Sequence, residues 1–569
     1  MLQMLAASDT VDYDVLVIGS GAGGMAAAIT ARKAGLSVAI LEKDVVFGGT
    51  TARSGGVLWV PNNAVSREAG AQDDIEAART YMQHEAGALF DPERVEAFLT
   101  QGPEMVDFFT RETEVKFVAL PQFSDYHPNA PGGRAGGRSI QAAPYDGREL
   151  GPAVATLQPP LREITFVGMM FNASQEVAHF FNVTRSLRSA IYVAKRLAKH
   201  AYELARYGRA MRLTNGNALA ARLAKSAINL DIPIYLEHPA QQLISRDGRI
   251  AGVVVQTPKG RVEFHARRGV VLAAGGFPQD KERRRKLFRH DAHGKGHLSP
   301  APLGNVGDGL AMAEAVGGSV TTDLPNAAAW IPVSKVPCRD GSVGVFPHLI
   351  DRYKPGIIAV TANGRRFVNE ADSYHDFGKA LLKAIPQGEV MAYLISDHRS
   401  IRRYGLGAAK PFPLPLLPYL RSGYLLRGRT VAELAQKAGI DALALEKTIA
   451  AFNGPATRGE DPEFGKGSTA YNRYLGDADH KPNACVAPLD TPPYYAVKVV
   501  MGDLGTFAGI RTDAKARVLD SDNRPIPGLY AAGNDMASIM GGNYPGGGIT
   551  LGPAMTFGYI AGKAIAGQN

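Results

Sequence analysis

Three glycines with the spacing of a dinucleotide-binding turn mark the first place in this sequence where chemistry could occur. A β-branched run at residues 14–18 predicts a buried strand before them, and an alanine-rich segment at 25–34 predicts a helix after them. Such glycines let the backbone approach a pyrophosphate, whose charge the free N–H groups at the helix start can hold. The residues predicted to contact it are Gly19, Gly21, Ala22 and Gly24.

An acidic residue follows where it could bind a ribose. A second predicted strand at 36–41 ends in Glu42, followed by Lys43, roughly 20 residues after the glycines. The carboxylate of Glu42 can accept a hydrogen bond from a ribose hydroxyl at this position. The alternative, a glycine turn without a ligand, does not account for the strand, the helix and the acidic residue together.

A second glycine- and hydroxyl-rich loop spans residues 48–56 and could approach a phosphate or a flat ring. The alternative is a flexible surface loop. Two later predicted strands, near residues 270 and 530, also end in glycines, which indicates that distant segments build one binding domain. The cofactor residues predicted from these segments are Gly49, Thr50, Thr51, Ser54, Gly55, Gly56, Ala274, Gly275, Gly533 and Asn534.

The positions of these loops along the chain predict two domains. Residues 10–323 and 491–569 would form the cofactor-binding domain, and residues 324–490, which are richer in proline, would form a domain that caps the cofactor. The segment at 411–418 is either part of this cap or a linker in polyproline II conformation. The predicted fold class is therefore α/β: a Rossmann-like domain with an inserted α+β catalytic domain.

Composition narrows the classes of protein. With 569 residues, 45% of them hydrophobic, the chain can form two or three domains with real cores. Two distant cysteines offer neither a disulfide framework nor a metal site, so we expect no metal and a reduced, cytoplasmic chain. The N-terminus lacks the features of a signal peptide, and no stretch of eighteen or more uncharged apolar residues is present.

Most of the net charge of +9 lies in one segment, an insertion at about 165–212. Its basic residues lie within 185–212, where Glu203 is the one acidic residue, and they are Arg185, Arg188, Lys195, Arg196, Lys199, Arg206, Arg209 and Arg212. On a helical wheel, residues 180–206 separate an apolar face from a basic arc. We therefore advance the hypothesis that 180–212 contacts anionic lipid at the inner face of the membrane. The alternative is a helix docked on the protein core with a solvated basic face, and nucleic acid is disfavoured because no base-reading module is present.

At this point the sequence resembles a known family along nearly its whole length. GSGAGG with Glu42-Lys43, GGTT and the C-terminal GLYAAGN resemble flavoproteins related to fumarate reductase, which bind FAD. Within them, the stretches SDY at 124–126, SYHDFG at 373–378 and YPGGG at 544–548 resemble 3-ketosteroid Δ1-dehydrogenases. The resemblance implies non-covalent FAD, contacted also by Thr550 and Leu551 at the start of the last helix.

The resemblance also implies an active site made of Tyr126, Tyr374, Tyr544 and Gly548. Tyr544 and the Gly548 N–H would bind the ketone oxygen, Tyr374 would remove the C2 proton with help from Tyr126, and the C1 hydride would pass to the flavin. The substrate would be a 3-ketosteroid or a bulkier sterol such as cholest-4-en-3-one, and the electrons would leave to an external quinone-like or dye-like acceptor.

The sequence departs from the family at two places near these residues. Gly547 stands where many relatives have proline, and His127 stands where some have a second tyrosine. Three rival functions remain open. They are a fumarate reductase using Arg53, Arg365 and Arg366, a ketosteroid dehydrogenase acting at C4–C5, and a non-enzymatic membrane or nucleic-acid binding module.

Overall fold

The computed structural model describes residues 11–171, 176, 179–180, 182–257, 259–338 and 340–568. The first ten residues, and with them the start of the predicted first domain, lie outside the described residues. Several positions of the predicted 165–212 insertion lie outside them as well.

An eight-stranded sheet carries the glycine turn at residue 19. Its spatial order is Arg517–Leu519, Pro525–Ala531, Gly260–Leu272, Val11–Ile18, Val38–Leu41 and Ile234–Tyr235, and Arg249–Thr257 and Ala240–Arg246 extend it from Gly260–Leu272. Four neighbouring pairs along this path are parallel, and the central strands are buried. Strands from three distant parts of the chain therefore share one sheet, which agrees with the predicted α/β fold.

Two helices cover this sheet next to the glycine turn. The alanine-rich helix Ala22–Lys33 is buried along most of its length because the final helix, Leu551–Ala566, packs directly against it. A Cβ on Gly558 would lie 2.3 Å from the carbonyl oxygen of Gly23. Only a glycine permits this approach, which brings the N-termini of both helices to one place.

A second, seven-stranded sheet supports the other half of the molecule. Its strands are Val343–Pro347, Ala328–Pro337, Tyr494–Thr506, Met391–Ser396 and Ile357–Val360, with His297–Leu298 and Leu426–Gly428 also paired to Tyr494–Thr506. This sheet continues past residue 490, where the capping domain was expected to end. The alternating pattern of Tyr494–Thr506 could have suggested a strand, but not the sheet to which it belongs. The domain boundaries remain predictions.

Smaller elements complete the fold. Three short strands, Val57–Trp59, Ser139–Ala142 and Phe117–Ala119, form a sheet beside the glycine loops. Strand pairs join Tyr145–Asp146 to Arg212–Leu213 and Val320–Thr321 to Gly509–Ile510. The further α-helices are Gly49–Arg53, Ala64–Glu68, Ile75–Ala86, Pro92–Glu112, Asn215–Asn229, Lys281–Leu287, Asp308–Ala315, Tyr374–Ala384, His398–Tyr404, Leu417–Arg421, Val431–Ala438, Ala442–Ala456 and Ala470–Leu475.

The basic segment forms the helix Leu187–Tyr207, capped by Ser186, and so begins later than the wheel over 180–206 assumed. Its buried side is mostly polar and includes His200 and Glu203. Arg196, expected in the solvated basic arc, is buried and pairs with Glu176 at 3.2 Å. That expectation was wrong because a wheel separates two faces without showing which face the rest of the chain covers.

Candidate active site

A large cavity among the described residues begins at the predicted glycine turn. Gly19 has φ +105°, and a Cβ there would lie 2.2 Å from the carbonyl oxygen of Ala273, so the turn requires glycine. Gly21 is the N-cap of the following helix, whose first residues, Ala22 and Gly23, line the cavity. Backbone donors at a helix N-terminus suit an anionic phosphate group.

Glu42 lies at the rim of this cavity, as its position in the sequence predicted. Its carboxylate accepts from the Ser20 hydroxyl at 2.5 Å and from the backbone N–H groups of Ser20 and Asp44. Burial raises the pKa of Glu42 despite these hydrogen bonds. The neighbouring Lys43 pairs with Asp308, another cavity residue.

Most of the predicted cofactor residues line this one cavity, although they come from six separate segments. They are Gly19, Gly21, Ala22, Glu42, Lys43, Gly49, Thr50, Thr51, Ser54, Ala274, Gly275, Gly533, Asn534, Thr550 and Leu551. Gly24, Gly55 and Gly56 do not line it. A Cβ on Gly24 would lie 2.1 Å from the Gly19 carbonyl oxygen, and one on Gly56 would lie 2.3 Å from Asn215, so both glycines serve close packing.

The sequence reasoning missed several residues of the cavity wall. Asn305 donates to the Thr50 hydroxyl at 2.9 Å and to the Gly275 carbonyl at 3.1 Å, and so joins two of the predicted loops. His238 and Gln158 also line the cavity. None of these residues lies in a glycine motif, so no local signal marked them.

Tyr126, Tyr374 and Tyr544 meet in one buried cluster, as the resemblance implied. The Tyr126 hydroxyl donates to the Tyr374 hydroxyl at 2.7 Å, and the Tyr126 and Tyr544 rings stack with centroids 5.5 Å apart. The three residues are at most 6% exposed, and burial raises the pKa of each. A reacting group in this cluster would therefore be screened from water.

Gly548 completes the cluster through its backbone. Its φ is +101°, and a Cβ would lie 2.5 Å from the Val57 carbonyl oxygen, so only glycine fits. The Tyr544 hydroxyl interacts with the Gly548 N–H and with the hydroxyls of Tyr374 and Thr550. Because Thr550 also lines the large cavity, the tyrosine cluster adjoins the cofactor site.

Two loops hold the tyrosines at this spacing. The carbonyl oxygen of Pro545 accepts from the Tyr126 backbone N–H at 2.9 Å and from the Tyr81 hydroxyl at 2.6 Å. Asp125 accepts from the Trp59 indole at 2.8 Å, and burial raises the pKa of Asp125 to about 6. Pro545, which follows Tyr544, thus holds Tyr126 directly. Asp125, which precedes Tyr126, is held by Trp59.

Comparison with known proteins shows to which family the chain belongs. A family model described as FAD binding domain matches residues 14–551, nearly the whole chain. The chain belongs to this FAD-binding family. Its cofactor is FAD and it is an oxidoreductase, as the sequence resemblance implied.

Three relatives bear on the chemistry. The chain is 44% identical to 4-oxocyclohex-2-ene-1-carboxylate 5-dehydrogenase of Sinomonas cyclohexanicum, over 98% of this chain and 94% of that protein. It is 38% identical to a 3-oxosteroid 1-dehydrogenase of Mycobacterium tuberculosis, over 98% and 99% of the two chains. It matches the crystal structure of 3-ketosteroid Δ1-dehydrogenase from Sterolibacterium denitrificans in complex with 1,4-androstadiene-3,17-dione with TM-score 0.89 and 35% identity, over 98% and 100%.

The cavity of this flavoprotein fits FAD. The Gly19 turn and the start of helix Ala22–Lys33 would hold the pyrophosphate, and Glu42 would meet the adenosine ribose. The start of helix Leu551–Ala566 would face the flavin ring, where a helix N-terminus stabilises negative charge. Glycine is needed at position 19 because a Cβ there would fill the turn.

A histidine between two carboxylates joins the segments that carry Tyr126 and Tyr374. His127 contacts Glu85 through Nδ1 and Asp376 through Nε2, both at 2.9 Å. Burial opposes the charged imidazolium, but the hydrogen bonds to the two carboxylates outweigh it and raise the pKa of His127 to about 10. The departure at 127 therefore introduces a cation that bridges both segments.

A row of hydroxyls extends from the tyrosine cluster to Arg352. Tyr126 interacts with Tyr471, whose hydroxyl lies 2.7 Å from that of Tyr353, and Arg352 donates to Tyr353 at 3.2 Å. Tyr353 and Tyr471 are fully buried. No sequence pattern marked Tyr353 and Tyr471, which lie outside the three resembling stretches.

Of the arginines considered for a dicarboxylate substrate, Arg366 is already neutralised by two carboxylates. It forms buried ion pairs with Glu370 and Asp461, each at 2.8 Å, and Arg365 lies at an exposed turn. Arg53, by contrast, has no ion pair within the described residues. Arg53 is thus the one partly buried arginine of the three that has no ion pair within the described residues.

Proposed function

We propose that this flavoprotein desaturates a six-membered ring ketone at the carbon–carbon bond beside its carbonyl, acting on the C1–C2 bond of 3-ketosteroids. The observation that carries the proposal is the meeting of Tyr374, Tyr544 and the Gly548 N–H in one buried cluster beside the cofactor cavity. Two donors and a base within reach of one another are what removal of a proton next to a carbonyl requires.

The two donors act on the ketone oxygen. The C2 proton becomes acidic only when negative charge on that oxygen is stabilised, and the Tyr544 hydroxyl and the Gly548 N–H would share this charge. Burial raises the pKa of Tyr544, so its hydroxyl keeps the proton that it donates. One such donor lowers the barrier by about 3–4 kcal/mol.

Tyr374 serves as the base. Burial raises its pKa well above the ordinary value, so its phenolate needs a hydrogen-bond donor. Tyr126 supplies this donor at 2.7 Å. FAD, when bound, accepts the hydride from C1, and an external quinone-like or dye-like acceptor then takes up the electrons.

A second candidate substrate is a monocyclic oxo acid. The 44% identity to 4-oxocyclohex-2-ene-1-carboxylate 5-dehydrogenase over nearly the full chain supports it. Both candidates present a ring ketone to the same two donors. A dicarboxylate is less well supported, because Arg366 is neutralised by Glu370 and Asp461.

Anaerobic reduction of the bound flavin tests the proposal. The purified enzyme is mixed with androst-4-ene-3,17-dione, 4-oxocyclohexanecarboxylate or succinate, and the loss of flavin absorbance is followed. We expect reduction by at least one of the two ketones and none by succinate. Reduction by succinate alone would contradict the proposal.

We propose further that helix Leu187–Tyr207 rests on a membrane that contains anionic lipid. Leu187 is 79% exposed and Ile191 49% exposed, and these apolar side chains share the surface with exposed Arg188, Lys195 and Lys199. Apolar side chains flanked by cations suit the headgroup region of a bilayer. No helix among the described residues is long and apolar enough to cross a membrane.

Co-sedimentation with vesicles of anionic lipid tests this contact. The test variant changes Arg185, Arg188, Lys195 and Lys199 to Gln, and a control variant changes the exposed Lys259, Arg261, Arg421 and Arg458 to Gln. We expect the first variant to lose binding at low salt and the second to keep it. If the wild type and both variants sediment equally, the basic residues of this helix do not bind lipid, and the helix is only docked on the protein core.

A further inference from the structure

A second, smaller cavity lies at the end of the 48–56 loop and adjoins the FAD cavity. Ser54 lines both cavities, so the two are neighbours. Its wall combines apolar side chains, among them Ile164, Met170 and Phe171, with polar ones. The polar ones include Arg53, Thr214 and Asn217.

Two polar atoms in this wall lack partners among the described residues. The Thr214 hydroxyl belongs to a residue with no exposed surface, and Asn217 Oδ1 to a residue 1% exposed. A buried polar atom left without a hydrogen bond costs about 1–3 kcal/mol. Such atoms beside a cavity indicate that a ligand or water completes their hydrogen bonds.

The Arg53 guanidinium also has N–H groups that are not used in hydrogen bonds to the described residues. Its Nη1 donates to the Pro300 carbonyl at 3.1 Å. In the amide orientation that satisfies both groups, the Gln158 oxygen would accept from Nε at 3.1 Å and from Nη2 at 2.9 Å. These bonds use three of the five N–H donors of a guanidinium, so one N–H on each terminal nitrogen is left. That pair matches the two oxygens of a carboxylate.

We propose that this cavity is a carboxylate subsite, in which Arg53 and Thr214 bind the acid group of the ring ketone that the enzyme oxidises. The inference rests on the proposed function and names its substrate class as oxo acids. A carboxylate accompanied by one water molecule would satisfy Arg53, Thr214 and the Asn217 acceptor together.

Two further observations favour an acid over a neutral ligand. Burial lowers the pKa of Arg53, which means that the surroundings destabilise its charge, and an anion would offset this. The carboxylates of Asp44 and Glu163 act on Arg53 only at a distance, and it forms no ion pair in the part of the chain that the structure describes. A single free arginine also suits a monocarboxylate better than a dicarboxylate.

Matched pairs of acid and ester test the subsite. The pairs are 4-oxocyclohexanecarboxylate and 3-oxoandrost-4-ene-17β-carboxylate, each with its methyl ester, so that they separate a monocyclic from a steroid acid. We expect kcat/KM of the wild-type enzyme to favour the acid about 10- to 100-fold in one pair. In Arg53→Gln this preference should disappear, while turnover of the ester changes less than twofold.

Arg162→Gln, an exposed change in the neighbouring segment, is the control and should keep the preference. Equal kcat/KM for acid and ester in wild type would overturn the inference, as would equal losses on both in Arg53→Gln. Cyclohexanecarboxylate, which carries no ketone, gives a readout without turnover. It should raise the melting temperature of the wild-type holoenzyme and not that of Arg53→Gln. If no ketone is oxidised at all, the proposed function fails, while this shift still decides on the subsite.

Discussion

Changing Tyr126 to Phe removes one hydroxyl and tests how Tyr374 becomes a base. The Tyr126 hydroxyl donates to Tyr374 at 2.7 Å, and a hydrogen bond to a charged group contributes about 1.5–3 kcal/mol. Without this donor the phenolate of Tyr374 is less stable, so the pKa of Tyr374 should rise further. At neutral pH less Tyr374 would then be ionised, and kcat should fall about 10- to 150-fold.

The assay is kcat and KM with a dye acceptor across neutral and alkaline pH. We expect the alkaline rise of kcat to move to higher pH in Tyr126→Phe, with KM and flavin content unchanged. Tyr13→Phe is the matched control, because it removes an equivalent hydroxyl–hydroxyl bond to Tyr235, 2.8 Å long, in the strand below the glycine turn. An unchanged pH profile in Tyr126→Phe, or an equal loss in Tyr13→Phe, would refute the reasoning.

Three further predictions follow from the same geometry. Tyr374→Phe and Tyr544→Phe should each lose most turnover while retaining FAD, and near-normal kcat in either would reject the role given to that residue. Acid precipitation should release the flavin from the polypeptide, since no histidine lies in the 48–56 loop to form a covalent link. The pKa of His127 is raised to about 10, so its ion pair with Asp376 stabilises the fold fully below the ordinary histidine pKa of about 6.5 and is lost as pH rises through about 10. His127→Gln should cost about 1–2 kcal/mol of unfolding free energy at neutral pH, discounted for partial exposure, and should lessen the alkaline fall in melting temperature; an identical alkaline fall would contradict this.

The sequence predicted those parts of the site whose residues lie close together along the chain. The Gly19 turn and Glu42 lie within one strand–turn–helix–strand unit, so their spacing alone placed them at one cavity. Tyr126 and Tyr374 are 248 residues apart, and only resemblance to a family could suggest that their hydroxyls meet. Tyr471 was missed because nothing in its surroundings marks it as a neighbour of Tyr126.

Burial could not be predicted where the partner lies elsewhere in the chain. Arg196 belongs to a basic stripe by its spacing, yet Glu176 neutralises it on the docked side of its helix. Gly24 and Gly56 have the sequence context of ligand-binding glycines, but their neighbours in space are Gly19 and Asn215. Distinguishing a packing glycine from a binding one requires the coordinates of the facing loop.

The position of the new double bond tests the central claim most directly. The product formed from androst-4-ene-3,17-dione with an excess of dye is isolated, and its structure is determined by NMR. We predict a double bond between C1 and C2, because Tyr544 and the Gly548 N–H would hold the 3-ketone while Tyr374 removes the proton at C2. A double bond at any other position would contradict the account, as would unchanged substrate from an FAD-carrying enzyme that also leaves 4-oxocyclohexanecarboxylate unoxidised.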